Sequence, residues 1–199
     1  MPDLLYLSLW MRDHRVENML DRFERLLRVF PFSRLRPGIS SLRVQAIAET
    51  EPPLFEQAFA QSPEIEQVVN LAREFSHPDC AFVVEGWWEL WQWKDEWRLL
   101  PSRVALFCFG PEFDNEPGDH LRIELGAEQQ FLPEHSLPQA DLIARSNLRS
   151  VVRLAEEAAK ALPVLRRQLW SESGENFAAL VDAALGEGAW PGVARGDPS

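Results

Sequence analysis

The apolar positions along the chain change period twice, and those changes mark out its elements. Residues Leu4 to Met11 form an apolar run short enough for one strand. Met19, Leu20, Phe23, Leu26, Leu27 and Phe30 then recur at steps of three and four, with Glu17, Asp21, Arg22, Glu24, Arg25 and Arg28 between them. This is the pattern of an amphipathic helix, which Asp13 can cap. Pro31 and Arg36-Pro37-Gly38 end it, and Ile39 to Ala48 reads as a second strand. Strand, helix and strand in that order predict a βαβ unit with parallel strands. Residues 50–59 read as a short helix. Ser62-Pro63 starts another, with Ile65, Val68, Val69, Ala72 and Phe75 on its apolar stripe.

At Cys80 the period becomes two. Cys80 to Trp93 reads as a long strand, Lys94-Asp95-Glu96 as a turn, and Trp97 to Phe109 as the return. Asp119 to Gly126 alternates strictly, which predicts a half-buried strand, and 129–132 can add a short fourth. The period then returns to helical. Leu148, Val151, Val152, Ala155, Ala158, Ala159, Leu162, Leu165 and Leu169 predict one helix from 147 to 170, capped by Ser146 and kinked at Pro163. Phe177, Leu180, Val181, Ala184 and Leu185 give a last short helix. The expected fold class is α+β: a mixed sheet from an N-terminal βαβ unit plus an antiparallel Trp-rich meander, packed by C-terminal helices. Residues 1–185 are expected to form one domain and 186–199 a flexible Gly/Pro-rich tail, on which Trp190 can still dock.

Composition narrows the function classes. With 46% hydrophobic and 26% charged residues, 199 residues suffice for a sizeable core. No apolar stretch is long enough to span a membrane, and the first ten residues do not read as a secretory signal, so a cytoplasmic protein is expected. Cys80 and Cys108 sit in apolar strands and read as core residues. The net charge of −11 is concentrated: residues 51–135 carry seventeen acids against five bases. Such a middle repels phosphate backbones, so no nucleic acid is expected as a partner, whereas a basic protein would be attracted. The same acids also serve to keep a Trp-rich chain in solution.

Five of the eight tryptophans fall at 87, 88, 91, 93 and 97. On the even face of the 80–93 strand, Phe82, Val84, Gly86, Trp88 and Leu90 should meet the core. On the odd face Glu85 and Glu89 alternate with Trp87, Trp91 and Trp93. That face has two readings. Helices cover it, with the carboxylates paired to Arg98, Arg103 or Arg122, or its outer end stays open as an aromatic platform beside carboxylates. Glu85, Trp87, Glu89, Trp91 and Trp93 are therefore the candidate binding residues.

Catalytic and metal-binding signals are missing. His14, His77, His120 and His135 have no ligand spacing, although the 112–119 loop before His120 is rich in oxygen donors. Glu85 and Glu89 lie about 13 Å apart by strand rise, beyond the reach of a paired-carboxylate mechanism. Neither GxSxG nor a phosphate-binding glycine loop occurs. No catalytic residue, metal or cofactor is assigned. The leading expectation is a non-catalytic protein-interaction module with an acidic, Trp-bearing surface. The alternatives are a small-ligand binder or enzyme with a pocket lined by the 85–93 strand, and a structural subunit that self-associates.

Overall fold

The computed structural model describes residues 3–132, 138–174 and 176–191. Seven strands form one sheet: β1 (Leu4–Met11), β2 (Ile39–Ala46), β3 (Phe55–Ala58), β4 (Cys80–Lys94), β5 (Glu96–Phe109), β6 (Leu121–Ala127) and β7 (Val164–Ser171). Their spatial order is β3-β2-β4-β5-β6-β1-β7. The helices are α1 (Val16–Val29), α2 (Ile65–Arg73), α3 (Ala140–Ala161) and α4 (Phe177–Leu185). The α+β class, the Trp-bearing meander β4-β5-β6 and the C-terminal helices are as the sequence pattern predicts.

The N-terminal unit pairs differently. β1 and β2 run in the same direction, but β4, β5 and β6 lie between them, and every ladder is antiparallel. Pattern alone reads direction and burial of a strand, whereas its neighbours are chosen by the hairpin β4-β5, which occupies the centre. Three further expectations change. Residues 55–58 form an edge strand on β2 rather than a helix. Residues 128–130 form a single 3-10 turn instead of a strand. Most consequentially, the helix predicted over 147–170 starts earlier, at Ala140, and stops at Leu162, whose extended backbone suits the residue before Pro163. The chain beyond Pro163 is β7, laid antiparallel against β1 from Leu5↔Ser171 to Met11↔Val164. Proline therefore ends the helix and does not kink it. Ser146 lies within α3 and caps nothing.

Helix α1 keeps its predicted stripe, with Met19, Leu20, Phe23, Leu26 and Leu27 buried. Its cap is Arg15, not Asp13: the Asn18 side chain reaches back to the Arg15 N–H at 3.1 Å, and Asp13 sits at φ 58 with its carboxylate on Arg15. The buried stripes of all four helices join one core on a single side of the sheet, with Leu5, Leu7, Leu9, Leu42, Phe82, Val84, Trp88, Leu106 and Ile123. Trp88, 1% exposed, is the largest of these side chains, and its indole Nε1 donates to Leu125 O at 3.1 Å. Leu125 is the extra residue of a bulge on β6, so the bulge supplies the acceptor that burying an indole requires.

Cys80 and Cys108 lie in this core as expected, and burial pushes the Cys80 thiol up to about 11. Gly86 sits at a close approach of backbone beside a bulge. Ser40 bulges opposite it on β2, and a Cβ there would stand 2.2 Å from Gly38 O. Trp190 docks at 9% exposure, its N–H donating to Asp182 at 2.8 Å; residues 192–199 of the expected tail, and His135, lie outside the described residues. Among the described residues no helix is long and apolar enough to cross a membrane.

Candidate functional site

Because the helices share one side, the other face of the sheet is covered, among the described residues, only by loops. The 110–119 loop folds over one end of it, where Phe113 stacks on Phe109 at 5.6 Å with Ala81 and Phe107 around them. It is pinned by Asp114 N–H to Ile47 O at 2.7 Å and by Asp119 beneath it. Asp119 is 1% exposed and accepts from Ser8 Oγ at 2.5 Å, from Asn115 Nδ2 at 2.6 Å and from two nitrogens of Arg122 at 2.9 Å each. Arg122 also donates to Glu49 at 3.0 Å and lies over the Phe109 ring. Burial works against the Arg122 charge, and the hydrogen bonds and proximity of Asp119 and Glu49 more than offset it, leaving its pKa raised. Of the loop oxygens that the sequence offered as cation ligands, those of Asp119 are thus spent on a guanidinium. No group of three or more His, Cys, Asp or Glu suited to a metal occurs among the described residues.

His120 is turned away from that loop. Its Nδ1 accepts the Met11 N–H at 2.8 Å, and its ring stacks on His14 at 4.3 Å. His14 Nε2 lies 2.7 Å from Phe109 O, and its Nδ1 is buried without a partner. Burial lowers both imidazoles, His14 to about 4. These rings are packing elements under the β1–α1 connection.

The rest of the uncovered face carries the predicted residues, and the structure divides them. Glu85 and Trp87 lie mid-face on β4. Glu85 is bonded by Ser41 at 3.2 Å and paired with Arg103 at 3.4 Å and Arg43 at 3.8 Å. Trp87, half-buried, has the Arg36 guanidinium 4.6 Å above its ring and Arg103 at 6.0 Å. Arg103 was foreseen as a partner of Glu85; Arg43 was not, and Arg122 serves Asp119 instead. Glu89 turns to the backbone. Its Oε1 accepts from Arg34 N–H at 2.8 Å and Ser33 Oγ at 3.0 Å, which together hold its carboxyl below the usual range. Its role is to fix the 33–35 turn beside Trp87.

Trp91 and Trp93 lie towards the far end of the hairpin, about 13 Å and about 20 Å from Trp87 by strand rise. There Trp93, 38% exposed, meets Trp97 edge-on at 5.3 Å. With Gln92, Leu132, Ala140 and Ile143 they wall a shallow groove of about 220 Å³. The strand edge at Trp91 has lost β2 as a neighbour, and Asn147 of α3 replaces it. Asn147 accepts the Trp91 N–H at 3.0 Å and donates to Trp91 O at 3.0 Å and Gln130 O at 2.7 Å.

Across the sheet from Glu85, the same row continues through Ala105 and Glu124 to Tyr6 and Trp170. Sequence reasoning missed this half of the face. The polar side of 119–126 marked Arg122 and Glu124 as outward-facing, but Trp170 was assigned to a helix. The signal that could have found it is Leu162-Pro163, which ends the helix and leaves Val164 to Ser171 as a separate segment of strand length. Comparison with protein-family models, curated proteins and solved structures finds no match to this chain.

Proposed function

We propose that this chain is a non-catalytic protein-interaction module that binds a basic partner through the uncovered face of its sheet. One observation carries the reading: all four helices pack on the opposite side, which leaves Trp87, Trp10 and Trp170 half-exposed among ion pairs on this one. Large aromatics ringed by charged groups are the usual make-up of a protein-binding centre and rim, and a monomer without a partner gains nothing from keeping them wet. Glu85 and Trp87 form the centre of the surface and Glu89 supports it, while Trp91 and Trp93 flank it in the separate groove against α3. The acidic middle of the sequence, seventeen acids against five bases over 51–135, selects for positive charge.

The test is retention on the immobilised full chain, compared between wild type, W87A, E85R and the helix-side control R149A. A protein held by wild type and R149A but released by W87A and E85R is expected, and binding should be reconstituted with that protein purified. Equal retention by the wild type and all three variants would overturn the reading.

A further inference from the structure

The half of the face that the sequence did not reveal contains a cleft of about 460 Å³ between the sheet and the 48–50 and 114–117 loops. Its wall is a stacked pair, Tyr6 and Trp170, with ring centroids 4.4 Å apart at 19°. Both rings are fixed by their polar ends: Trp170 Nε1 donates to Ser8 Oγ at 2.9 Å and the Tyr6 hydroxyl to Glu172 at 2.9 Å. Four carboxylates, of Glu49, Asp114, Glu116 and Glu172, line the cleft against a single guanidinium, and that one, Arg122, is already bound to Asp119 and Glu49. Just outside that lining, opposite Tyr6 in the β1–β6 register, stands Glu124. No hydrogen bond or ion pair within 4 Å reaches its carboxylate among the described residues, and Glu124 is half-buried. Burial raises its pKa, with Glu85 and Glu172 adding to the rise and Arg103 and Arg43 opposing it.

The face also shows what its indoles accept. Arg36 lies over Trp87 at 4.6 Å and Arg166 over Trp10 at 4.2 Å, whereas no cation lies over Trp170 among the described residues. We propose that this cleft seats one arginine side chain of the protein partner, packed against the Trp170–Tyr6 wall with its fork on Glu124 and Glu172. A guanidinium suits the cleft better than an ammonium, because a planar fork can stack on an aromatic wall and meet a carboxylate with two bonds at once. The inference rests on the reading of this face as the protein-binding one and names the chemistry of the contact.

The experiment uses the isotope-labelled full chain and two peptides, acetyl-Gly-Arg-Gly-amide and the same peptide with neutral citrulline for arginine. The Trp170 indole N–H and the Tyr6, Glu124 and Glu172 amides are followed by NMR. The arginine peptide should shift these resonances saturably, with a Kd in the millimolar range expected of a single side chain. Citrulline for arginine, or E124Q with E172Q in the chain, should weaken binding about tenfold, while the Trp87 indole stays in place. Equal shifts with the citrulline peptide, or arginine shifts that ignore both substitutions, would overturn the cleft assignment. In that event, partner retention still dependent on Trp87 would leave the broader reading intact. Retention independent of the face would sink that reading whatever the peptides do.

Discussion

Asp119 is the residue on which the shape of the uncovered face depends most, and its replacement by asparagine is a quantitative test of the structure. The carboxylate is buried and receives four hydrogen bonds, two of them from Arg122, which is itself 6% exposed. D119N keeps the volume and removes the charge, so a buried guanidinium loses its main counter-ion. Breaking a buried pair on one side costs about 3–5 kcal/mol. Glu49 remains 3.0 Å from Arg122 but is 43% exposed on its side chain, so it compensates only weakly and the low end of that range applies, about 3 kcal/mol. With a urea m-value of about 2 kcal/mol per molar, the unfolding midpoint should fall by about 1.5 M. The partner substitution R122M removes the charge that D119N strands, so the double variant should be more stable than the sum of the two losses predicts, by at least about 2 kcal/mol. A D119N midpoint within about 0.2 M of wild type, or strict additivity in the cycle, would refute the buried pair as drawn.

Other consequences are independent of that pair. His14 titrates near 4 in the fold against 6.5 when exposed, so the unfolded chain takes up the proton first. Stability should therefore be full above about pH 6.5 and fall by up to about 3 kcal/mol as the pH drops towards 4, and H14Q should flatten that slope in acid-range urea titrations. G86A places a methyl group 2.2 Å from Gly38 O, where backbone must move, and calorimetry should show a loss of about 2 kcal/mol or more. N147L leaves the Trp91 N–H and C=O without partners at the bare edge of β4. It should cost about 3 kcal/mol and speed amide exchange at Trp91 well before it affects Val84.

How much of this was legible in the sequence depends on the kind of information involved. Period-two alternation gave the hairpin its length and put Phe82, Val84, Trp88 and Leu90 on the core side, where all are buried. Alternation is a local property and survives any rearrangement of neighbours. It carries nothing about which strands pair, so β1 and β2 were expected side by side when three strands separate them. The 162–170 segment shows the other limit. Leu162, Leu165 and Leu169 fit a helical stripe, yet in β7 Leu169 alone of the last two turns inward, and Leu165 is 45% exposed. The proline before Val164 outweighed three well-spaced leucines, because it removes a helical donor and biases Leu162 to extended backbone. Since Trp170 depends on that strand, the cleft was hidden along with it. Glu85 and Trp87 could be placed on one face because that face is read within one strand. Glu89 was grouped with them for the same reason, and only three-dimensional contacts show that it serves the 33–35 turn.

The central claim, that the sheet face opposite the helices is the binding surface, is tested most directly by hydroxyl-radical footprinting of the chain alone and in complex with the protein it retains. Protection is predicted at Trp87, Phe107, Tyr6 and Trp170, with no change at Leu142 or at the outer residues of α1 and α2. Protection confined to the helical side, with Trp87 and Trp170 as reactive in the complex as in the free chain, would contradict it.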